Sequence, residues 1–359
     1  MAVASFEISD FGVTKYGETS KKYTLRGAGG AVLEVSDYGG KVVRLFTADR
    51  KGEMKDVVVG FDDPSGWDGG DPYWGSIIGR FGNRIADGRF TLNGKEYSIP
   101  VNNAPGGISC ALHGGTRGWD ADVWDSEPFV EGDDVGVVFS RVSPDGENGF
   151  PGKVEVKVTY TLTGDNVWRV DYEAVPDADT PINMTQHVYF NSKGESGGTI
   201  EDHTLTIAAE NFAPVNPGQI PLGILRPVAG TPFDFRRGMR IGERINEPDG
   251  QLEIGKGYDH CWVLDAGGGD LAFAGSLYCP LNGRKVDVYT TETCMQVYTA
   301  NWASYDQRGK GGEHLSFRCA VAMETQHAPD SPNQPSFPTT IVRAGETYRS
   351  TTEFRFSAE

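Results

Sequence analysis

Alternation at every second residue is the strongest constraint on what this chain can become. Val154, Val156, Val158, Tyr160 and Leu162 share one side of an extended segment, and after Gly164-Asp165-Asn166 the pattern resumes with Trp168, Val170, Tyr172 and Ala174. A period of two puts successive side chains on opposite faces of a strand, whereas a helix would scatter these residues around its axis. Two such segments joined by a Gly/Asp/Asn turn predict an antiparallel meander of long strands. Arg89 to Leu92 and Lys95 to Ile99, separated by Asn93-Gly94, read as a hairpin, because Asn-Gly suits the left-handed backbone of a type I′ turn. Asn282-Gly283 separates Leu277–Leu281 from Lys285–Thr290 in a similar way. In the first sixty residues, runs at 22–25, 31–35, 42–47 and 57–59 are β-like and show no helical period. Tyr348 to Phe356 supplies a last alternating strand, and the best helix candidate is Arg237 to Ile245. The chain reads as all-β.

The 359 residues include 48 Gly and 20 Pro, which implies many turns, while 38% hydrophobic and 11% aromatic residues suffice for a large core. No solenoid repeat or linker interrupts the chain, so one domain over 1–359 is expected. A net charge of -17 lacks the basic footprint that nucleic acids and anionic membrane surfaces require, and favours a neutral polar ligand. Five cysteines, Cys110, Cys261, Cys279, Cys294 and Cys319, show no metal-binding or redox spacing and read as reduced thiols of a cytoplasmic protein with no structural metal. Met1 to Glu7 lacks the charged and apolar regions of a secretory leader, and no stretch is long and apolar enough to span a bilayer. The sequon-like Asn183-Met184-Thr185 is accordingly read as chance.

Two stretches carry chemistry. Read as one strand, Met184 to Asn191 places Met184, Gln186, Val188 and Phe190 on one face and Thr185, His187, Tyr189 and Asn191 on the other, so an imidazole stands in the middle of a polar face. A buried histidine satisfied by a neighbour would look the same. Far downstream, Cys319 to Gln326 separates Cys319, Val321 and Met323 from Ala320, Ala322, Glu324 and Gln326. Small alanines beside a carboxylate suggest a pocket floor, and a histidine across that pocket would both pair the carboxylate and complete an acid/base couple. Further candidates are less specific. Gly75 to Ile85 is glycine-spaced and holds Arg80 and Arg84 without acidic neighbours in sequence. His113 sits in a glycine loop, Asp259 and His260 stand at a strand entrance, and Gln296, Tyr298 and Ala300 share a strand face. A polar loop covers 304–313. Gly194-Glu195-Ser196-Gly197-Gly198 matches the nucleophile-elbow pattern, yet the residues after it read as loop and strand rather than the required helix.

Taken in order, Gly79-Arg80-Phe81-Gly82-Asn83-Arg84-Ile85, Leu112-His113-Gly114-Gly115, Gln186 to Asn191, Gly257-Tyr258-Asp259-His260, Gln296 to Asn301 and Glu324-Thr325-Gln326 resemble the aldose 1-epimerases, the galactose mutarotases, over nearly the whole chain. The resemblance implies a single β-supersandwich domain that interconverts α and β anomers of free hexoses without cofactor or metal. It implies His187 as general acid and Glu324 as general base, with Asn83, Arg84, His113, Tyr189, Asp259 and Gln296 binding a monosaccharide. Departures from the family pattern fall at Gln186, Val188 and Ala300 and bear on sugar preference. Three other readings fit parts of the sequence: a silent sugar-binding sandwich, a hexose-phosphate epimerase using Arg80 and Arg84, and a glycosidase using Glu324 with Asp259. If the acid/base couple operates, Glu324 must work ionised and His187 protonated.

Overall fold

A computed structural model describes residues 3–69, 73–304 and 306–359. Met1 and Ala2 of the expected leaderless terminus, and Tyr305 of the expected 304–313 loop, lie outside the described residues. The architecture is β on β. A nine-stranded antiparallel sheet runs in the order Asp125–Glu131, Asp134–Ser143, Val154–Leu162, Val167–Pro176, Tyr348–Ala358, Arg284–Thr290, Ala272–Tyr278, Thr204–Ile207, Met239–Arg240. A six-stranded sheet runs Tyr189–Phe190, Val321–Gln326, Cys294–Tyr298, Asp259–Val263, Asn211–Ala213, Arg226–Pro227. Strands within 5–56 form a third, five-stranded sheet.

Alternation decides how the layers meet. In Val154–Leu162 every odd position of the strand is buried, and its partner Val167–Pro176 repeats the pattern, with Tyr160 opposite Val170 and Leu162 opposite Trp168. Those side chains join Phe354 from the nine-stranded sheet and Trp262, Met295, Val297, Val321 and Met323 from the six-stranded sheet in one core cluster, which also takes in Leu25, Leu33 and Leu45. Trp168 stacks on Phe354 at 4.9 Å, and Thr325 Oγ1 lies 2.6 Å from Thr352 Oγ1 across the two large sheets. Burial of this apolar surface, worth about 25 cal/mol per Å², drives the assembly.

Several local expectations need correction. The helix expected over 237–245 shrinks to Ile241–Arg244, preceded by the strand Met239–Arg240. A second helix, Gly250–Gly255, was not anticipated, although Asp249 gives it an N-cap by accepting from Gln251 N at 2.8 Å. The edge strand Ser5–Val13 is mostly exposed, and a register shift between Asp10 and Gly12 breaks its alternation of Phe6 and Ile8 from that of Phe11 and Val13, which hides it in sequence. Residues 57–59 form only an isolated bridge at Val58, although Val57 N and Val59 N still donate to Leu45 O and Tyr189 O. The 304–313 loop is polar and exposed at most of its described residues, and one point anchors it: Lys310 is buried, and its Nζ donates to Asp56 Oδ2, Val43 O and Val58 O at 2.6–2.9 Å. Asn93 (φ 52) and Gly94 (φ 76) adopt the left-handed turn that their sequence predicts.

Arg80 is also a structural residue. Its guanidinium is 2% exposed and donates to Pro151 O, Gly152 O, Thr180 Oγ1, Ser143 Oγ and Pro144 O, tying the strands that frame the 143–152 turn. An ammonium cannot reproduce that fork. Arg80→Lys is therefore expected to leave buried carbonyls unsatisfied at ~1–3 kcal/mol each. The urea midpoint should fall by an amount equivalent to at least ~2 kcal/mol, with the denaturant slope unchanged.

Candidate active site

The segment expected to be one strand is split, and the split makes the site. Thr185–Gln186 pairs with Ile77–Ile78, Tyr189–Phe190 pairs with Val321–Gln326, and His187 and Val188 carry the chain between the two pairings. Met184, Val188 and Phe190 still enter the core. On the polar face only His187 and Tyr189 reach the cavity. Asn191 is drawn into structure instead, donating to Gly198 O and Cys319 O, and Gln186 donates to Gly75 O and Tyr160 Oη.

Both faces of Val321–Gln326 are buried. Val321 and Met323 pack inward while Ala322 and Glu324 face the other way, so Glu324 stands on the outer side of the six-stranded sheet at 1% exposure. A cavity of about 580 Å³ opens over that side, and His187, Glu324, Asn83, Arg84, His113, Tyr189 and Asp259 all line it. Gln296 does not. It lies directly opposite Glu324 in the adjacent strand, and its Nε2 donates to Asp259 Oδ1 at 2.6 Å, so it acts on the cavity through Asp259. Tyr73, Asn102, Gln219, Tyr298 and Trp302 also line the cavity. Of these, Tyr298 shares the strand face of Gln296, and the others carry no motif that would have singled them out.

At the cavity floor His187 Nε2 is 3.4 Å from Glu324 Oε1. The imidazole stacks on Tyr189 at 4.8 Å and 20°, and Trp74 stacks on the Tyr189 ring at 3.9 Å. Burial pulls His187 down to about 3, which disfavours the imidazolium that a general acid would need. The carboxylate 3.4 Å away favours the charged ring and opposes that desolvation.

His113 is buried, its ring 5.1 Å from that of His187. It occupies a left-handed backbone position (φ 49) and is not the exposed loop histidine its glycines suggest. Asn83 N donates to His113 Nδ1 at 3.1 Å, while burial, His187 and Arg84 hold the ring neutral. With Nδ1 accepting, the proton sits on Nε2, which presents an N–H donor. His113, His187 and Glu324 bring three ligand-type atoms within 4.8 Å of one another, but this tautomer offers a metal a hydrogen instead of a lone pair. The set suits hydroxyl recognition.

Arg84 has the acidic partner its sequence surroundings lack. It is 7% exposed, its Nη2 is 3.8 Å from Asp259 Oδ2, and it donates to Gln219 Oε1 at 2.5 Å. His260, beside Asp259, turns into the core against Phe233, and its Nδ1 accepts from Asp259 N. Ser196 of the elbow-like pattern is exposed, and no helix follows it. The surface groove lined by Glu18, Arg117, Asp122, Arg141 and Glu147 has both arginines committed to ion pairs.

The aldose 1-epimerase family profile matches residues 21–355. The galactose mutarotase of Rattus norvegicus is 40% identical over 325 residues, covering 90% of this chain and 91% of the relative. The aldose 1-epimerase of Escherichia coli (strain K12) is 34% identical over 345 residues, 96% of this chain and 97% of the relative. In three dimensions the galactose 1-epimerase from Lactobacillus acidophilus NCFM superposes with a TM-score of 0.84 at 24% identity, covering 99% of both chains, a likeness of fold. With the β-supersandwich, the ordered motifs and these relatives in agreement, the chain belongs to the aldose 1-epimerase family of carbohydrate isomerases.

Proposed function

We propose that this protein is a mutarotase that interconverts the α and β anomers of free hexoses such as glucose and galactose, and that it serves hexose metabolism in the cytoplasm. The observation that carries this reading is the His187–Glu324 pair, 3.4 Å apart at the floor of a cavity otherwise lined by hydroxyl-reading groups. Five buried free thiols support the reducing compartment.

In this mechanism Glu324 takes the proton of the anomeric hydroxyl, the bond between C1 and the ring oxygen breaks, and the ring oxygen takes a proton from His187. C1 is now an aldehyde. Rotation about C1–C2 exposes its other face, and the reverse transfers close the ring, with no net oxidation. Each positioned proton carrier is worth typically 10²–10⁴-fold. Since burial disfavours the imidazolium, it is formed within the singly protonated pair, where the charge on Glu324 offsets part of the desolvation. Asn83, Arg84, His113, Tyr189 and Asp259 bind the hydroxyls, with Gln296 holding Asp259.

The phosphate-sugar reading loses its clamp, because Arg80 is spent on backbone carbonyls and Arg84 lies beside the Asp259 carboxylate. The glycosidase reading needs Asp259 to move protons, yet both of its oxygens accept amide hydrogens, from Gln296 and Gln219.

Two experiments test the proposal. Freshly dissolved α-galactose or α-glucose, followed by its anomeric proton NMR signals, should approach equilibrium faster with the protein than in buffer, without new products. Glu324→Gln should lower kcat by on the order of 10²-fold or more with little change in sugar affinity. A double variant with His187→Asn should be scarcely slower than either single variant, because one relay is lost in each case. A folded Glu324→Gln protein with near wild-type turnover would sink the assignment.

The second test is the pH profile of kcat/KM, expected to be bell-shaped, with limbs that belong to the pair rather than to either residue. As pH rises, the pair loses its single shared proton and the acid disappears. As pH falls, a second proton neutralises Glu324 and the base disappears. His187→Asn should abolish the alkaline limb, and a wild-type profile flat from about pH 4 to 9 would contradict the shared-proton scheme.

A further inference from the structure

Gln219 is 3% exposed, lines the cavity, and belongs to no motif in the sequence. Its side-chain amide lies between two charged groups of opposite sign: Oε1 accepts from Arg84 Nη2 at 2.5 Å, and Nε2 donates to Asp259 Oδ2 at 2.9 Å. Arg84 Nη2 and Asp259 Oδ2 are themselves 3.8 Å apart, beyond the 2.7–2.9 Å of a charge-assisted hydrogen bond. The amide has one orientation that satisfies both neighbours. A flip would set its NH₂ against the guanidinium and its oxygen against the carboxylate.

The backbone is built to deliver this residue. Gln219 is one of the non-glycine residues in the left-handed region (φ 57). The turn that holds it is closed by Gln219 N to Asn216 O, Asn216 N to Ile220 O, and the Asn216 side chain accepting from Gly218 N and Ile220 N. Gly106 on the opposing loop packs so closely that a Cβ there would lie 2.4 Å from Pro217 O. The turn is therefore wedged in place as well as hydrogen-bonded.

We propose that Gln219 is a positioning residue that sets sugar selectivity: it keeps Arg84 and Asp259 apart as a donor–acceptor pair that reads ring hydroxyls distant from the anomeric carbon. This rests on the reading of the cavity as an aldose site. Glu324 lies opposite Gln296, and Asp259 lies opposite Tyr298 on the next strand, so the pair stands two strand spacings of about 4.8 Å from the Glu324 strand. A pyranose with its anomeric carbon at His187 and Glu324 presents its 3- and 4-hydroxyls on that side. Without the amide, Arg84 and Asp259 close on each other and satisfy their charges internally, and a hydroxyl entering between them has to break an ion pair.

The test compares wild type with Gln219→Glu, which keeps the shape but places a carboxylate beside Asp259, and Gln219→Ala, which removes the spacer. Initial anomerisation rates would be measured for glucose, galactose, 3-deoxyglucose and 4-deoxyglucose, with calorimetric Kd values for the same sugars. In both variants KM and Kd for the parent hexoses should rise about tenfold, the size expected when a buried polar contact to substrate is lost, while kcat stays within about threefold. The wild-type penalty against at least one deoxy sugar should shrink in both. Gln219→Ala alone decides the matter if the Glu variant fails to fold. Parent-sugar KM and deoxy penalty unchanged in the folded variants, or a loss confined to kcat, would overturn the proposal. If wild type binds hexoses with Gln219-dependent affinity yet does not turn them over, the clamp stands and the mutarotase reading falls; absence of both binding and turnover removes both.

Discussion

A carboxylate at 1% exposure is the constraint on which the rest of this structure depends. Removing an ion from water costs several kcal/mol in a protein even after relaxation, so Glu324 requires compensation that the apolar strand around it cannot supply. The fold supplies it from outside the sheet. The crossing at His187 and Val188, where the chain leaves one pairing for another, brings an imidazole within 3.4 Å of the carboxylate, and the Tyr189 and Trp74 stack fixes its plane. His187 N still donates to Ser76 O, and Gly75 N to His187 O, before the chain joins Val321–Gln326 at Tyr189. The break in regularity is what lets two separate strands set an imidazole beside a carboxylate.

The same logic extends outward from the floor. Several polar groups at this depth are held by neighbours: Asn83 caps the turn into Arg84 and pins His113, while Gln296 and Gln219 each hold one oxygen of Asp259. Such a network loses little freedom when a sugar arrives, because the side chains are already oriented. Neutral amides do most of the holding. They orient the charged Arg84 and Asp259 without adding charge.

How much of this could be read from sequence follows from the range of the interactions involved. The meander of Val154 to Ala174 and the Asn93-Gly94 hairpin were legible because strand alternation and turn chemistry are local properties. His187 stood out as an imidazole at the centre of a polar strand face, and Glu324 as a carboxylate in an otherwise apolar run. The split of the 184–191 segment was not visible, since both halves keep the same alternation and differ only in which distant strand they pair with. The acidic neighbour of Arg84 lies 175 positions away and the acceptors of Arg80 lie at 143–180, so the two arginines looked alike in sequence and diverge completely in the fold. Gln219 had no signal at all, because an amide in a turn matters only through the partners that tertiary structure brings to it.

Charge at the site also bears on what the cavity admits. Glu324 and Asp259 line it together with Arg84, and burial holds His113 and His187 neutral. The lining thus carries no surplus of positive charge, in a chain of net charge -17. An anionic sugar would meet two carboxylates and one arginine already engaged by Gln219 and Asp259, so its desolvation would go uncompensated. A neutral aldose pays no such cost, because its hydroxyls both donate and accept and can match an N–H of His113, a carboxylate oxygen of Asp259 and the guanidinium of Arg84 in turn. Selection for an uncharged polyol is in this way built into the protonation states that burial imposes, before any contact with a particular hydroxyl is made.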